Sequence, residues 1–467
     1  MLDNLQYPYS IAALIALVLL FWRPVAGLTF LVAIFPVDPF SPRLPVPGMN
    51  TETILLGVAF AMTVLRFGAR LPPLRYSGPV VAFIGVMALG LLVSVPWALK
   101  VAQQTDEPAI WFIFKSWKSI SFSALFFFAT YWWLRRPADR RNMLEAISFG
   151  VWISAAVGLA DFVLGLTDIG ALGRATGLQG DPNAMAEAVG SMMFVSLHLA
   201  LYARELPIWR RLFHGMSYGL AFFAVVFSLS RGNWVALVFA HAVYFLLVNR
   251  ALLFAMVVSV VLAATVAFPF LPEVVRERVL VTGRTSNTVY SVQGAYGLET
   301  SAAMRVVFTK IGYDMWLESP LWGQGLDSFQ FRAPEMGARY GFFQAKDAHN
   351  IVVKLAAENG LIGLASFAWL AWAVFRCGRR LWRSDSPEYQ LGAVLLAGGA
   401  HVMVASLSTD SFLYAKQISA YFWVLYALCA RGYVERFSVA EAPAAQPVAG
   451  PRWRRFSHST PAAASQP

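Results

Sequence analysis

Thirteen apolar blocks separated by short polar connections constrain this chain more than any other feature. They fall near 9–22, 25–37, 51–66, 79–98, 110–132, 143–166, 184–202, 213–229, 232–249, 251–270, 350–375, 388–408 and 412–430. Several, such as Val80–Leu99 and Ala251–Phe270, reach the roughly 20 residues that a bilayer span requires. Charged residues make up only 13% of the 467, where soluble domains carry about a quarter. With a mean hydropathy of +0.57, a soluble enzyme is excluded, and so are collagen-like, coiled-coil and disordered classes. Two cysteines, Cys377 and Cys429, supply neither a disulfide framework nor a zinc motif.

The connections carry the orientation. Arg23, Arg66, Arg70, Arg75, Arg135, Arg136, Arg140 and Arg141 fall on one alternating set. Arg204, Arg210, Arg211, Arg250, Arg376, Arg379, Arg380, Arg383, Arg431 and Arg436 continue it, while 38–50 and 98–109 are poor in Lys and Arg. By the positive-inside rule the basic set is cytoplasmic. The expected fold is therefore all-α: a polytopic inner-membrane protein of 12–13 transmembrane helices. Arg23-Pro24 leaves open whether the first two blocks are one broken helix or two. Met1–Ser10 holds no basic residue, so the first block is expected to stay as an anchor.

Five regions follow from this reading: N-terminal transmembrane helices at 1–168, and helices with external arginines at 169–270. Then come a large periplasmic loop at 271–349, C-terminal helices at 350–432, and a disordered basic cytoplasmic tail at 433–467. The formal net charge of +11 resides mostly on cytoplasmic connections, so it marks topology and membrane lipid rather than nucleic acid. The 271–349 loop has eight basic and eight acidic residues. In it Ser301–Glu318 reads as an amphipathic helix suited to a membrane surface, with Met304, Val307, Phe308, Ile311 and Met315 on one stripe and Arg305 off it. No tight acidic pair such as DxD announces a divalent ion on this face, so neither metal nor cofactor is expected.

Three short external stretches stand out. Gly173–Asn183 contains Arg174 and ends just before a span, where Asn183 reads as a helix N-cap and an anion would be favoured. An ordinary Gly/Pro turn is the plain alternative. Ser228–Asn233 carries Ser230 and Arg231 between two apolar blocks, on the side where positive charge is disfavoured. An ionisable residue there marks a site by default, although an arginine at a boundary also snorkels to lipid phosphate. The third is Ala348–Leu355 with Glu358–Gly363, where His349-Asn350 stands at the return of the long loop to the membrane. His349 titrates near neutrality and suits a general base. The other histidines read as less suited: His198, His214, His241 and His401 in or near spans or the cytoplasmic side, and His458 in the tail. Asp410 and Lys416, beside the external connection before the last span, read as an exposed ion pair, with a place lining the site as the alternative.

The order of these pieces resembles the O-antigen ligase and Wzy polymerase superfamily of bacterial envelope glycosyltransferases. The carrying residues are Arg174, Gly177 and Pro182-Asn183; Ser230-Arg231-Gly232; Arg305 with Glu318–Gly325; and His349-Asn350 with Glu358–Gly363. The resemblance covers roughly 170–375 and implies a GT-C-like membrane fold with metal-independent, inverting glycosyl transfer on the periplasmic side. It implies an undecaprenyl-diphosphate-linked glycan as donor. It also implies Arg231 and Arg305 at the diphosphate, Arg174 near the donor, and His349 as base on the acceptor hydroxyl, with Asn183, Ser230 and Asn350 in support. The acceptor stays open between lipid A–core, a second glycan repeat and a protein hydroxyl, with lipid A–core ranked first. The inserts Asn287–Thr300 and Arg332–Lys346 are expected to shape that side. A lipid-linked glycan transporter and an assembly scaffold are the readings of other classes.

Overall fold

The structure is a computed structural model describing residues 6–40, 50–102, 109–166, 173–262, 265–266, 268–270, 273–280, 300–384 and 388–440. The helices are α1 (Gln6–Trp22), α2 (Pro24–Ile34), α3 (Thr51–Phe67), α4 (Leu74–Ala102), α5 (Ala109–Trp133) and α6 (Pro137–Leu164). Then follow α7 (Pro182–Tyr202), α8 (Ile208–Phe227), α9 (Arg231–Val248), α10 (Arg250–Leu262), α11 (Glu273–Leu280), α12 (Thr300–Glu318) and α13 (Ser328–Gly337). The chain finishes with α14 (Ile351–Trp382), α15 (Tyr389–Ala405), α16 (Ser411–Tyr414) and α17 (Lys416–Ala440). No β-strand forms among the described residues.

Among the described residues each apolar block holds helix, although the 251–270 block is α-helical only to Leu262 and the 412–430 block divides at Ala415. Five of the described helices are long and apolar enough to cross a membrane: Leu74–Leu99, Pro137–Leu164, Pro182–Tyr202, Arg231–Val248 and Ile351–Trp382. The protein is an all-α, multi-pass membrane protein. At Arg23-Pro24 the first two blocks separate into two helices packed on each other, because Pro24 opens a new helix at its first position. α17 continues to Ala440, beyond the hydropathy boundary at 432; the tail from 441 and the insert 287–299 lie outside the described residues.

The core is built around α7 and α17. Met185–Leu197 is buried throughout, as are Ile418–Ala430, including Trp423. Where lipid rather than water surrounds a bundle, burying apolar area adds little and close packing decides. Accordingly α14 and α15 cross at glycines: a Cβ on Gly378 would press on Leu396. Outward-facing side chains are apolar, as at Leu65 (85% exposed) and Phe254 (72%), which suits a lipid-facing surface.

The bundle has two chemically distinct ends. At one, Arg140 in the first turn of α6 pairs with Glu388 before α15 at 2.9 Å. At the other, α6 ends where Asp161 accepts a hydrogen bond from Thr176, and α15 ends at Ser406. Residues 300–350 cover this second end. Val307, Phe308, Ile311 and Met315 of α12 do share one buried stripe, but it closes a small core with Phe329, Ala333, Met336 and Phe342. The expected amphipathic helix is therefore present, yet its apolar face is spent on α13 and α14 rather than on a membrane surface.

Candidate functional site

The turn between α8 and α9 holds the first part of the site. Leu229 adopts a left-handed φ of +55°, and Ser228 Oγ accepts a hydrogen bond from the Ser230 amide at 3.2 Å. Arg174 Nε donates to the Ser228 carbonyl at 3.0 Å, and Arg278 Nε donates to the Leu229 carbonyl at 3.2 Å. Two guanidinium groups thus grip the turn from which Arg231 opens α9. Burial pulls the Arg174 pKa below its ordinary value, the Arg278 charge adds to this, and Asp181 opposes it. Both arginines sit beside the amino end of α9, whose free amides favour an anion.

Asn183 is not the N-cap of α7. Pro182 takes the first helical position, so the cap falls one residue earlier, and Asp181 accepts from the Ala184 amide at 2.8 Å. The Asn183 contribution is its carbonyl, which receives Asn233 Nδ2 at 3.2 Å; the same amide group donates to Ser230 Oγ at 3.0 Å. Asn183 and Ser230 are therefore joined through Asn233, a residue that the sequence placed in the same short stretch.

His349 ends the covering segment. Asn350 caps α14 by accepting from the Val352 and Val353 amides at 2.9 and 3.2 Å, and its Nδ2 donates to the Leu407 carbonyl at 3.0 Å. The Ile351 amide donates to the Ser406 carbonyl at 2.9 Å. This stitching to the loop after α15 sets His349 at φ +50°, with Nδ1 4.0 Å from Asp410 Oδ1 and the ring 5.7 Å from Phe308. The side chain is 41% exposed, enough for a substrate to reach it. Burial lowers the imidazole pKa; Asp347 raises it, and Arg305 lowers it further. Neutral imidazole, the form able to take a proton, is thereby favoured.

The loop after α15 bridges these parts. Ser406 and Thr409 donate to the buried Glu187 of α7 at 3.0 and 2.9 Å, and Gly232 beside Arg231 packs directly on Ser408. The expectation of an exposed Asp410–Lys416 pair fails. Asp410 is fully buried, and Lys416 instead faces Glu52 at 4.0 Å. The two residues flank α16, a single turn that sends their side chains apart.

Under His349 lies a cluster that sequence spacing conceals. Lys354 Nζ meets Asp347, Asp327 at 3.5 Å, Glu358 at 3.5 Å and Asp410 at 3.8 Å. Four carboxylates drawn from Asp327 to Asp410, which no DxD spacing announces, thus converge with an ammonium at their centre. Burial raises the Asp410 and Asp327 carboxyls above their ordinary values. Burial opposes ionisation of Asp347 too, but Lys354 overrides it and holds that carboxyl below its ordinary value. Among the described residues, the non-glycine positions with positive φ are Leu229, Asp327 and His349, all at this end. Each costs on the order of 1–2 kcal/mol, strain that the surrounding bonds must hold.

The stretches Glu318–Gly325 and Glu358–Gly363 interlock. α14 breaks at Gly360, whose φ of +62° and ψ of −157° leave helical carbonyls and amides unpaired. Gln324 and Gly325 amides donate to Ala357 and Glu358 carbonyls at 2.8 Å each, and Leu361 donates to the Pro320 carbonyl at 2.8 Å. Broken backbone at membrane depth is tolerated when protein satisfies it in this way. Both motifs are thus parts of one clasp that fixes Glu358 and Lys354.

An apolar cavity of about 380 Å³ opens between α9, α14 and α15, walled by Phe239, Leu246, Leu370, Met403 and Phe412. At 1.5 Å per residue, Phe239 lies about 12 Å along α9 from Arg231. The sequence reading missed Arg278, Glu187 and Asp327, gave Lys354 no role within its stretch, and offered Asp410 only as the lesser alternative of lining the site. The i,i+4 pair Lys354–Glu358 inside an apolar block was the available signal, as was the polar run Ser406–Ser411 between two spans.

Residues 216–368 match the family model of O-antigen ligases, a span that takes in Arg231, Arg305 and His349 but stops short of Asp410. No curated protein matches the chain.

Proposed function

We propose that this multi-pass membrane protein, whose residues 216–368 match the O-antigen ligase family model, is an inverting, metal-independent glycosyltransferase of the inner membrane. In this reading it moves a glycan from undecaprenyl diphosphate to an acceptor hydroxyl at the periplasmic face, with lipid A–core as the acceptor. The observation that carries the proposal is His349. It is half-exposed, its pKa is drawn down by burial, and it is held between Asp410 and the Arg305-bearing helix.

The acceptor oxygen attacks the anomeric carbon, and the bond from that carbon to the phosphate oxygen breaks with inversion. His349 Nδ1 faces Asp410, which leaves Nε2 to receive the hydroxyl proton. The electron pair departs on the diphosphate, whose charge Arg231 and Arg305 take up through forked hydrogen bonds. Arg174 and Arg278 support this by fixing the turn before Arg231. The apolar cavity beside α9 suits the polyprenyl chain, since it starts two turns from Arg231 and is lined by hydrocarbon. A sugar diphosphate is already activated, so orientation, a base and charge stabilisation suffice.

Transfer from a labelled lipid-diphosphate-linked glycan, with lipid A–core, a second lipid-linked repeat and a peptide offered in parallel, tests the reading. Glycan is expected on lipid A–core. Product only on the second repeat would make the protein a polymerase, and product only on the peptide a protein glycosyltransferase. Passage of the glycan across a vesicle with no new glycosidic bond would overturn the enzyme assignment.

A further inference from the structure

The end of the bundle away from His349 holds a larger cavity, of about 1220 Å³, between α1, α2, α3, α6 and α8. That exceeds the roughly 300–1,000 Å³ of ordinary small-molecule pockets. Arg23, Arg66, Arg135, Arg136 and Arg210 line it, against only two carboxylates, Asp139 and Glu145. Glu145 is already engaged, in an ion pair with Arg210 and 3.7 Å from His214 Nε2. Arg135 stacks on Phe67, its guanidinium carbon 4.6 Å from the ring centre. Arg23, Arg66 and Arg136 have no carboxylate within ion-pairing distance among the described residues.

Positive-inside arginines ordinarily stand in water at the membrane boundary, and that accounts for their number. It does not account for their convergence around a hollow. The walls between them are apolar: Trp132, Trp133, Trp209, Phe30 and Phe149 line the same space. His214 is 2% exposed at the cavity wall, with Nδ1 fixed on Ser148 Oγ at 2.8 Å and Nε2 3.7 Å from Glu145. A ligand that satisfies this lining carries negative oxygens at one end and hydrocarbon at the other.

We infer that this cavity is a binding site for an anionic glycerophospholipid. Its head-group phosphate sits among Arg23, Arg66 and Arg136, and its acyl chains lie along Phe30 and Phe149. Basic pockets between transmembrane helices are suited to such head groups, and each cationic side chain near the surface contributes about 1 kcal/mol. Guanidinium rather than ammonium groups supply forked bonds to phosphate oxygens. The site is separate from the chemistry at His349, at the opposite end of α6, and the inference stands whether or not the transfer reaction does. A lipid here would tie α1–α2 to α6 and α8 and so brace the bundle.

The full-length protein in vesicles of phosphatidylcholine and phosphatidylglycerol tests it, with retained lipid counted by native mass spectrometry. Wild type is expected to keep phosphatidylglycerol in preference to phosphatidylcholine. The triple variant Arg23→Gln, Arg66→Gln, Arg136→Gln should lose at least about ten-fold of that preference. Arg204→Gln, Arg376→Gln, Arg379→Gln removes as much charge from the same end but outside the cavity, and should keep it. Equal loss in both triple variants would overturn the site in favour of general surface attraction. Displacement of the lipid by inorganic phosphate at matching concentration would overturn the lipid assignment in favour of a free-anion site. A triple variant of the cavity with unchanged preference would overturn both.

Discussion

The two ends of this bundle use the same scarce currency, charge, in opposite ways. At the His349 end, Asp327, Asp347, Glu358 and Asp410 are drawn round Lys354 and largely removed from solvent, and backbone bonds hold every approach to them. At the other end, Arg23, Arg66 and Arg136 are exposed around an open hollow with few carboxylates to meet them. Buried ions need partners because desolvation is costly, whereas exposed ones are solvated and remain available. The comparison teaches that the first end ties its charges to one another, whereas the second leaves them available, as the proposed transfer reaction and lipid site would each require.

The sharpest way to break this contrast is His349→Ala. Loss of a general base should lower transfer by about 10²–10⁴-fold with unfolding unchanged; full turnover would reduce the His349 end to a structural role. Lys354→Met should destabilise the folded protein by roughly 3–5 kcal/mol, read as a lower midpoint of thermal unfolding, because it strands four carboxylates. An unchanged midpoint would mean that the cluster is not held by its ammonium.

Arg231→Lys and Arg305→Lys keep charge but lose the fork, and each should cost about ten-fold or more in turnover. Wild-type rates in both would move these arginines into the class of the exposed ones at the far end. Gly360→Ala places a Cβ about 2.5 Å from the Leu321 carbonyl at a left-handed position, and about 1–2 kcal/mol of destabilisation should follow. The smallest effect is on pH. Because burial lowers the His349 pKa, activity should stay level as pH falls through the ordinary histidine value and decline only below it. A midpoint above that ordinary value would show the base to be stabilised as imidazolium instead.

Much of the architecture was legible in the chain. Apolar blocks specify helices because a backbone in lipid must satisfy its own hydrogen bonds, and each block holds helix among the described residues. His349, Arg305 and the Ser230-Arg231 turn stood out in the chain as candidates, since an ionisable group beside an apolar block is costly and so conspicuous. Asn183 was misread because the cap depended on where Pro182 sits in the first turn, a matter of one residue. The mutual pairing of the Gly360 break with the Gln324–Gly325 backbone was not legible, because the two motifs lie far apart in the chain.

What the amino-acid order determined by itself is local and periodic: helix positions, the stripe on α12, and the segregation of arginines between alternate connections. What only the tertiary structure decided is which distant polar groups meet. Asp327 and Asp410 lie far apart in the chain and reach the same ammonium because α14 returns beneath the covering segment and α15 ends beside it. Arg23, Arg66 and Arg136 converge for the same reason, as helix ends brought together by packing. Sequence reports the cost of placing each charge near a membrane; the fold alone decides which partner offsets it.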